Sequence, residues 1–154
     1  MNDHDAHLVP TLVTYEADAK YGPSFGWNEE NSSKNAEVLS AGLTSLENAL
    51  SNNVNVGYGT DLCWSPKSYQ GDGLLIHEKV CGAAEALRHC TLNNARIVRM
   101  EGKIGEITAG AHADLVILDT NPLKSMDCFS QKSNSIVAVL QAGIPVRDDK
   151  LLFD

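Results

Sequence analysis

The stretch from Lys34 to Asp61 most narrows what this chain can become. Leu39, Leu43, Leu46 and Leu50 recur at i, i+4, i+7 and i+11, one face of a 3.6-residue period. Lys34–Ser51 is therefore predicted as a helix, with Ser32 or Ser33 as its N-cap and Asn52-Asn53 as its exit. Val54-Asn55-Val56-Gly57-Tyr58 follows at once and reads as a short buried strand. It runs directly into Gly59-Thr60-Asp61. A helix, a buried strand and a Gly/Thr/Asp loop make an αβ unit. Its loop leaves the C-terminal end of the strand, where α/β sheets and barrels gather their reactive groups. Gly42 inside the helix costs about 1 kcal/mol against Ala; close packing on a sheet would offset this.

The flanking segments extend the pattern. His7 to Val13 is short, apolar and β-branched and reads as a strand, with Pro10 marking it as an edge or irregular one. Tyr21–Ser33 reads as a loop that includes a solvated Glu29-Glu30, and Cys63–Gly73 as a second loop. Leu74–Cys81 and Ala83–Cys90 read as helices broken at Gly82, with a third short helix from Asn93 or Asn94. Beyond Met100, Ile104–Ile107 and Ala113–Leu118 read as strands, and Asn121-Pro122 as a turn. Ile136–Gln141 and Ile144–Arg147 read as a hairpin around Ala142-Gly143. The chain is α/β first and mostly β afterwards.

Bulk properties exclude several function classes. At 154 residues the chain suits one domain, or one domain plus a fragment, against roughly 250 residues for a full (β/α)8 barrel. Net charge is −8, and Lys34, Lys67, Lys79 and Lys124 stand far apart, so no basic patch offers itself to nucleic acid. No apolar run approaches the roughly 20 residues of a membrane span. Met1–Asp5 is polar and acidic, unlike a signal peptide. Cys63, Cys81, Cys90 and Cys128 form neither a CxxC pair nor a zinc-finger spacing. A reduced, cytoplasmic chain is the expectation.

Three stretches together resemble the amidohydrolase superfamily, in its imidazolonepropionase and Xaa-Pro dipeptidase-like branch. Leu8-Val9-Pro10-Thr11-Leu12 resembles the penultimate region of that barrel, and Gly59-Thr60-Asp61 the end of its eighth strand. The tail is the most specific. Thr91-x-Asn93-x-Ala95-Arg96, Gly102-x-Ile104, Gly110-x-x-Ala113-Asp114-Leu115 and Asn121-Pro122-Leu123 stand in the family's order and spacing. The resemblance spans essentially the whole chain but only about the last third of a typical member. It implies an α/β fold: the C-terminal portion of a TIM-type (β/α)8 barrel over residues 1–101, then part of a small β-sandwich over 102–154. It also implies that the chain is the end of a longer enzyme.

By resemblance, the parent reaction is hydrolysis of an amide-like carbon–nitrogen bond by metal-activated water. Dipeptide-like molecules, N-acyl amino acids or cyclic amides would be the substrates, and zinc or another divalent metal the cofactor. Asp61 would be both metal ligand and catalytic proton acceptor; a carboxylate at the mouth of a strand is suited to both tasks. On the motif alone an Asx turn is the better account of Asp61; the tail match favours the metal-site position by descent. Tyr15 is a candidate substrate contact, or else a packing or rim tyrosine. Trp27 and Trp64 could line a ligand or cover a sheet edge.

The family's His-x-His, bridging Lys or Glu and two later His are not found. His4 and His7 are spaced by two residues, His77 and His89 fall in helices, and His112 in a β segment. A lone carboxylate holds zinc weakly, so this chain alone is expected to be inactive. The alternative is an interaction module that self-associates, or pairs with another chain, through exposed strands.

Overall fold

A computed structural model describes residues 4, 6–63 and 67–153. The elements are α1 (Leu12–Tyr21), α2 (Glu29–Ser51), α3 (Asp72–Cys81), α4 (Ala83–Arg88), α5 (Asn94–Ile97), β1 (Leu115–Leu118), β2 (Ile136–Gln141) and β3 (Ile144–Asp148). A π-helical turn, His89–Asn93, joins α4 to α5.

The leucine face of α2 packs as its spacing requires. Leu46 is fully buried, and Leu39, Leu43 and Leu50 pack around it against Leu12, Val13 and Ala17 of α1. The helix begins earlier than Ser32. Asn28 is the N-cap, and its side chain and that of Asn31 bond reciprocally to each other's backbone N–H. Glu29 and Glu30 therefore sit in the first turn of α2, where the helix dipole favours negative charge, and not in a loop. Gly42 faces α1, not a sheet: a Cβ there would lie 2.5 Å from Leu12 Cδ2.

The expected strand at residues 7–13 is corrected. Only Leu8 pairs, in a parallel bridge to Val56. Leu8 N–H donates to the Asn55 carbonyl at 3.1 Å, and Gly57 N–H to the Leu8 carbonyl at 2.8 Å. Thr11 then stands at the N-cap position of a helix, so Leu12 and Val13 are its buried face and not strand residues. The 54–58 segment is likewise a single bridge at Val56.

Beyond α5 the chain turns repeatedly before reaching the sheet. Ile104–Ile107 is not a strand. Gly105 has φ +82, Lys103 and Ile104 N–H both bond the Met100 carbonyl, and Ile107 is 91% exposed. The sheet is antiparallel in the order β1-β2-β3. Its hairpin turns through Ala142 (φ +50) and Gly143 (φ +81), the paired positive φ that two-residue hairpins favour. Met126 and Phe129 fold back to pack on Leu74 of α3 and Ala86 of α4, forming a second apolar cluster. Among the described residues, no helix is long and apolar enough to cross a membrane.

Candidate active site

Asp61 leaves the bridged segment as an exposed residue with φ +50. Positive φ is uncommon outside glycine, although aspartate tolerates it better than most. Two contacts fix it there. Thr14, in the first turn of α1, donates its hydroxyl to the Asp61 carbonyl at 3.1 Å. The Cys63 thiol lies 3.5 Å from Asp61 Oδ1, and the carboxylate holds that thiol above its ordinary pKa.

The segment behind Asp61 is held from the other side. Asn93 Nδ2 donates to the Val56 carbonyl at 2.8 Å. Asn94 Oδ1 accepts from Tyr58 N–H at 2.9 Å, and its Nδ2 donates to the Tyr58 carbonyl at 2.9 Å. Gly57 makes room for this: a Cβ would lie 2.5 Å from Asn94 Oδ1 and 2.4 Å from Ile97 Cδ1. The Tyr58 hydroxyl donates to the Gln70 carbonyl, and burial raises its pKa. A cavity of about 540 Å³ opens here, lined by Tyr58, Gly59, Thr60, Gln70, Cys90 and Asn94 among others. A larger one, about 660 Å³, lies among residues 120–135 and touches none of the sequence-predicted site residues.

Tyr15 is half-buried in α1, and its carbonyl accepts from Asn35 Nδ2 at 2.8 Å. It is Thr14, one residue earlier and about 100° around the helix, that touches Asp61. The histidines scatter. His4 and His112 are exposed, and His7 Nδ1 meets Asn55 Nδ2 at 3.1 Å. Trp27 packs over Gly22; Trp64 lies outside the described residues.

His77 and His89 are buried in the helical core at 1% and 0% exposure, with Nδ1 to Nδ1 at 2.9 Å. One ring must donate and the other accept, so in the neutral pair the two carry opposite tautomers. Burial lowers the pKa of both, His77 to about 4, with His89 as its second cause. Neither Nε2 has a hydrogen-bond partner among the described atoms; Glu85 Oε1 is 3.8 Å from that of His89. Cys81 and Cys90 are held protonated, their thiols raised by burial to about 11.

A divalent metal would have to draw on these donors. Asp61 offers oxygen and Cys63 a nearby sulfur, but among the described residues no group of three or more His, Cys, Asp or Glu converges. A catalytic zinc takes three protein ligands. The described residues do not by themselves fit one.

Known proteins give the context. A prolidase solved with N-methylphosphonate-L-proline is 41% identical, with a TM-score of 0.88 over 96% of this chain and 36% of its own. A solved amidohydrolase is 38% identical, with a TM-score of 0.85 over the same shares. The 5-methylthioadenosine/S-adenosylhomocysteine deaminase of Acetivibrio thermocellus is 29% identical in an alignment that covers 74% of this chain and 31% of that protein. The chain thus spans about a third of the length of these relatives. Its mixed helix-and-sheet fold is one derived from the TIM barrel. With residues 1–146 matching the amidohydrolase family from end to end of that span, the chain belongs to that family.

Proposed function

We propose that this chain supplies the Asp61 carboxylate to a hydrolase of carbon–nitrogen bonds whose other ligands lie outside these 154 residues. The observation that carries the reading is Asp61 itself. It is exposed, left-handed, and pinned by Thr14 directly after the parallel-paired segment. Left-handed residues also form ordinary turns, as Ala142 does; what supports the reading is that Asp61 combines this backbone with its place after the paired segment and its pin to Thr14. In this reading residues 1–101 are the C-terminal part of the barrel and 102–154 part of a β-sandwich. Asp61 is both a metal ligand, to zinc or a similar ion, and a proton acceptor. Tyr15, beside Thr14 on α1, faces substrate.

The prolidase relative favours dipeptide-like substrates, and the deaminase relative the exocyclic carbon–amino bond of an adenosine-type base. The higher identity of the prolidase, 41% against 29%, puts dipeptides first. The chain alone is inactive here, since one carboxylate holds a metal weakly. Pairing through the outer edge of residues 7–9 with another chain is the second reading; the single bridge at Leu8 supports it.

A chimera tests the first reading: this chain replaces the matching C-terminal third of the prolidase relative. With zinc supplied, the chimera is expected to hydrolyse Xaa-Pro dipeptides. Asp61→Asn should lower kcat by at least about 1,000-fold. An active chimera indifferent to Asp61→Asn removes the assignment. The isolated chain, given zinc and the same dipeptides, should show no turnover; turnover that vanishes in Asp61→Asn would show it to be sufficient.

A further inference from the structure

The 55–58 segment has two hydrogen-bonding sides, because successive residues of an extended chain face opposite ways. Asn55 and Gly57 bond Leu8. Val56 and Tyr58 therefore direct their backbone groups away from it, to the side where a further strand would pair. Asn93 takes the Val56 carbonyl, and Asn94 takes both the N–H and the carbonyl of Tyr58. One primary amide thus reproduces the donor and acceptor of a strand neighbour.

Two adjacent residues of a regular helix diverge by about 100°, yet both of these reach one short segment. They straddle the end of the π-turn His89–Asn93, where α5 begins. Single π-turns occur often at functional sites. Within that turn Thr91 Oγ1 donates to the Leu87 carbonyl at 2.7 Å.

We propose that Asn93 and Asn94 are positioning residues for Asp61, acting through the backbone of Val56 and Tyr58. Asn94 anchors the chain at Tyr58 and Thr14 anchors it at Asp61, so Gly59 and Thr60 bridge two fixed points. That span sets the left-handed backbone of Asp61 and the direction of its carboxylate. The inference rests on Asp61 being a reactive group, but its test does not require turnover.

The test uses the 154-residue chain and NMR. In Asn94→Ala, amide exchange at Tyr58 and through residues 59–63 should rise about tenfold or more, while β1, β2 and β3 stay within about threefold. The coupling constants and carbon shifts that report positive φ at Asp61 should be lost. Asn53, Arg99 and Ala142, at φ +54, +59 and +50, should keep theirs as internal controls. Asn93→Ala, which removes one bond instead of two, should show the same pattern more weakly and guards against a variant that fails to fold. Retained left-handed signals at Asp61 in both variants overturn the proposal. So does faster exchange spread evenly over the molecule. A chimera that is active yet ignores Asp61→Asn counts against the functional reading alone, because these backbone readouts stand without it.

Discussion

At the scale of single residues, the two groups that most reward substitution are Gly57 and the histidine pair. Gly57→Ala should destabilise the chain by about 1–3 kcal/mol, since its Cβ would meet Asn94 Oδ1 and Ile97 Cδ1 inside 2.6 Å. Gly59→Ala should cost less, because the nearest atom there, at 2.7 Å, is a methyl of the partly exposed Val9. Urea midpoints compare the two, and equal losses would contradict the close approach at Gly57. The His77–His89 pair makes a pH prediction. The folded pKa of His77 is lowered to about 4 from an ordinary 6.5, and that of His89 is lowered as well. As pH falls through 6.5 the unfolded chain takes up protons first. Stability is therefore complete above about pH 6.5 and is lost toward pH 4, by about 3 kcal/mol for His77. Denaturant unfolding at pH 7 and pH 4.5 measures this. The double variant His77→Leu with His89→Leu removes both polar partners and should flatten the profile; an unchanged slope there would place the effect elsewhere.

Among the elements, α2 was the most legible in the sequence, because four leucines on one face leave a helix little alternative. Its N-terminus was not legible, because Asn28, Ser32 and Ser33 are all good caps and only Asn28 is answered by a reciprocal partner three residues on. Leu46→Ala should cost about 2–5 kcal/mol by calorimetry, whereas Val38→Ala, at a position 46% exposed, should cost well under 1 kcal/mol. The segment 7–13 misled because a short apolar run fits strand or buried helix equally; its helix from Leu12 becomes evident only once α2 packs on it. Ile104–Ile107 misled because two β-branched isoleucines in a short segment resemble a strand, while Gly105 at φ +82 breaks the extended path. The loop bearing Asp61 was readable from its place after a buried segment. Of the asparagines behind it, Asn93 stands in the tail motif and Asn94 at one of its unspecified positions; two adjacent asparagines are poor helix formers, but no local pattern tells which backbone they bond.

Over the whole molecule, the two apolar clusters share α3: Ile76 belongs to the first and Leu74 to the second. They should therefore unfold together. Far-UV and near-UV circular dichroism are expected to give one coincident transition, and Met126→Ala, at a fully buried site, should shift both signals equally. Separate midpoints would mean that the sheet and its connecting turn unfold apart from the helices. The hydrogen bonds behind Asp61 carry a consequence for biosynthesis. Val56 and Tyr58 are bonded by side chains that follow them by 37 and 36 residues. When a ribosome has released the Asp61 loop, Thr14 is already present, but the asparagines that fasten the other end of the loop have still to be made. The loop emerges with only its Thr14 anchor available and is set fully after α5 has formed, so a nascent chain stalled before Asn93 should display a protease-sensitive loop that a chain completed past Ile97 protects.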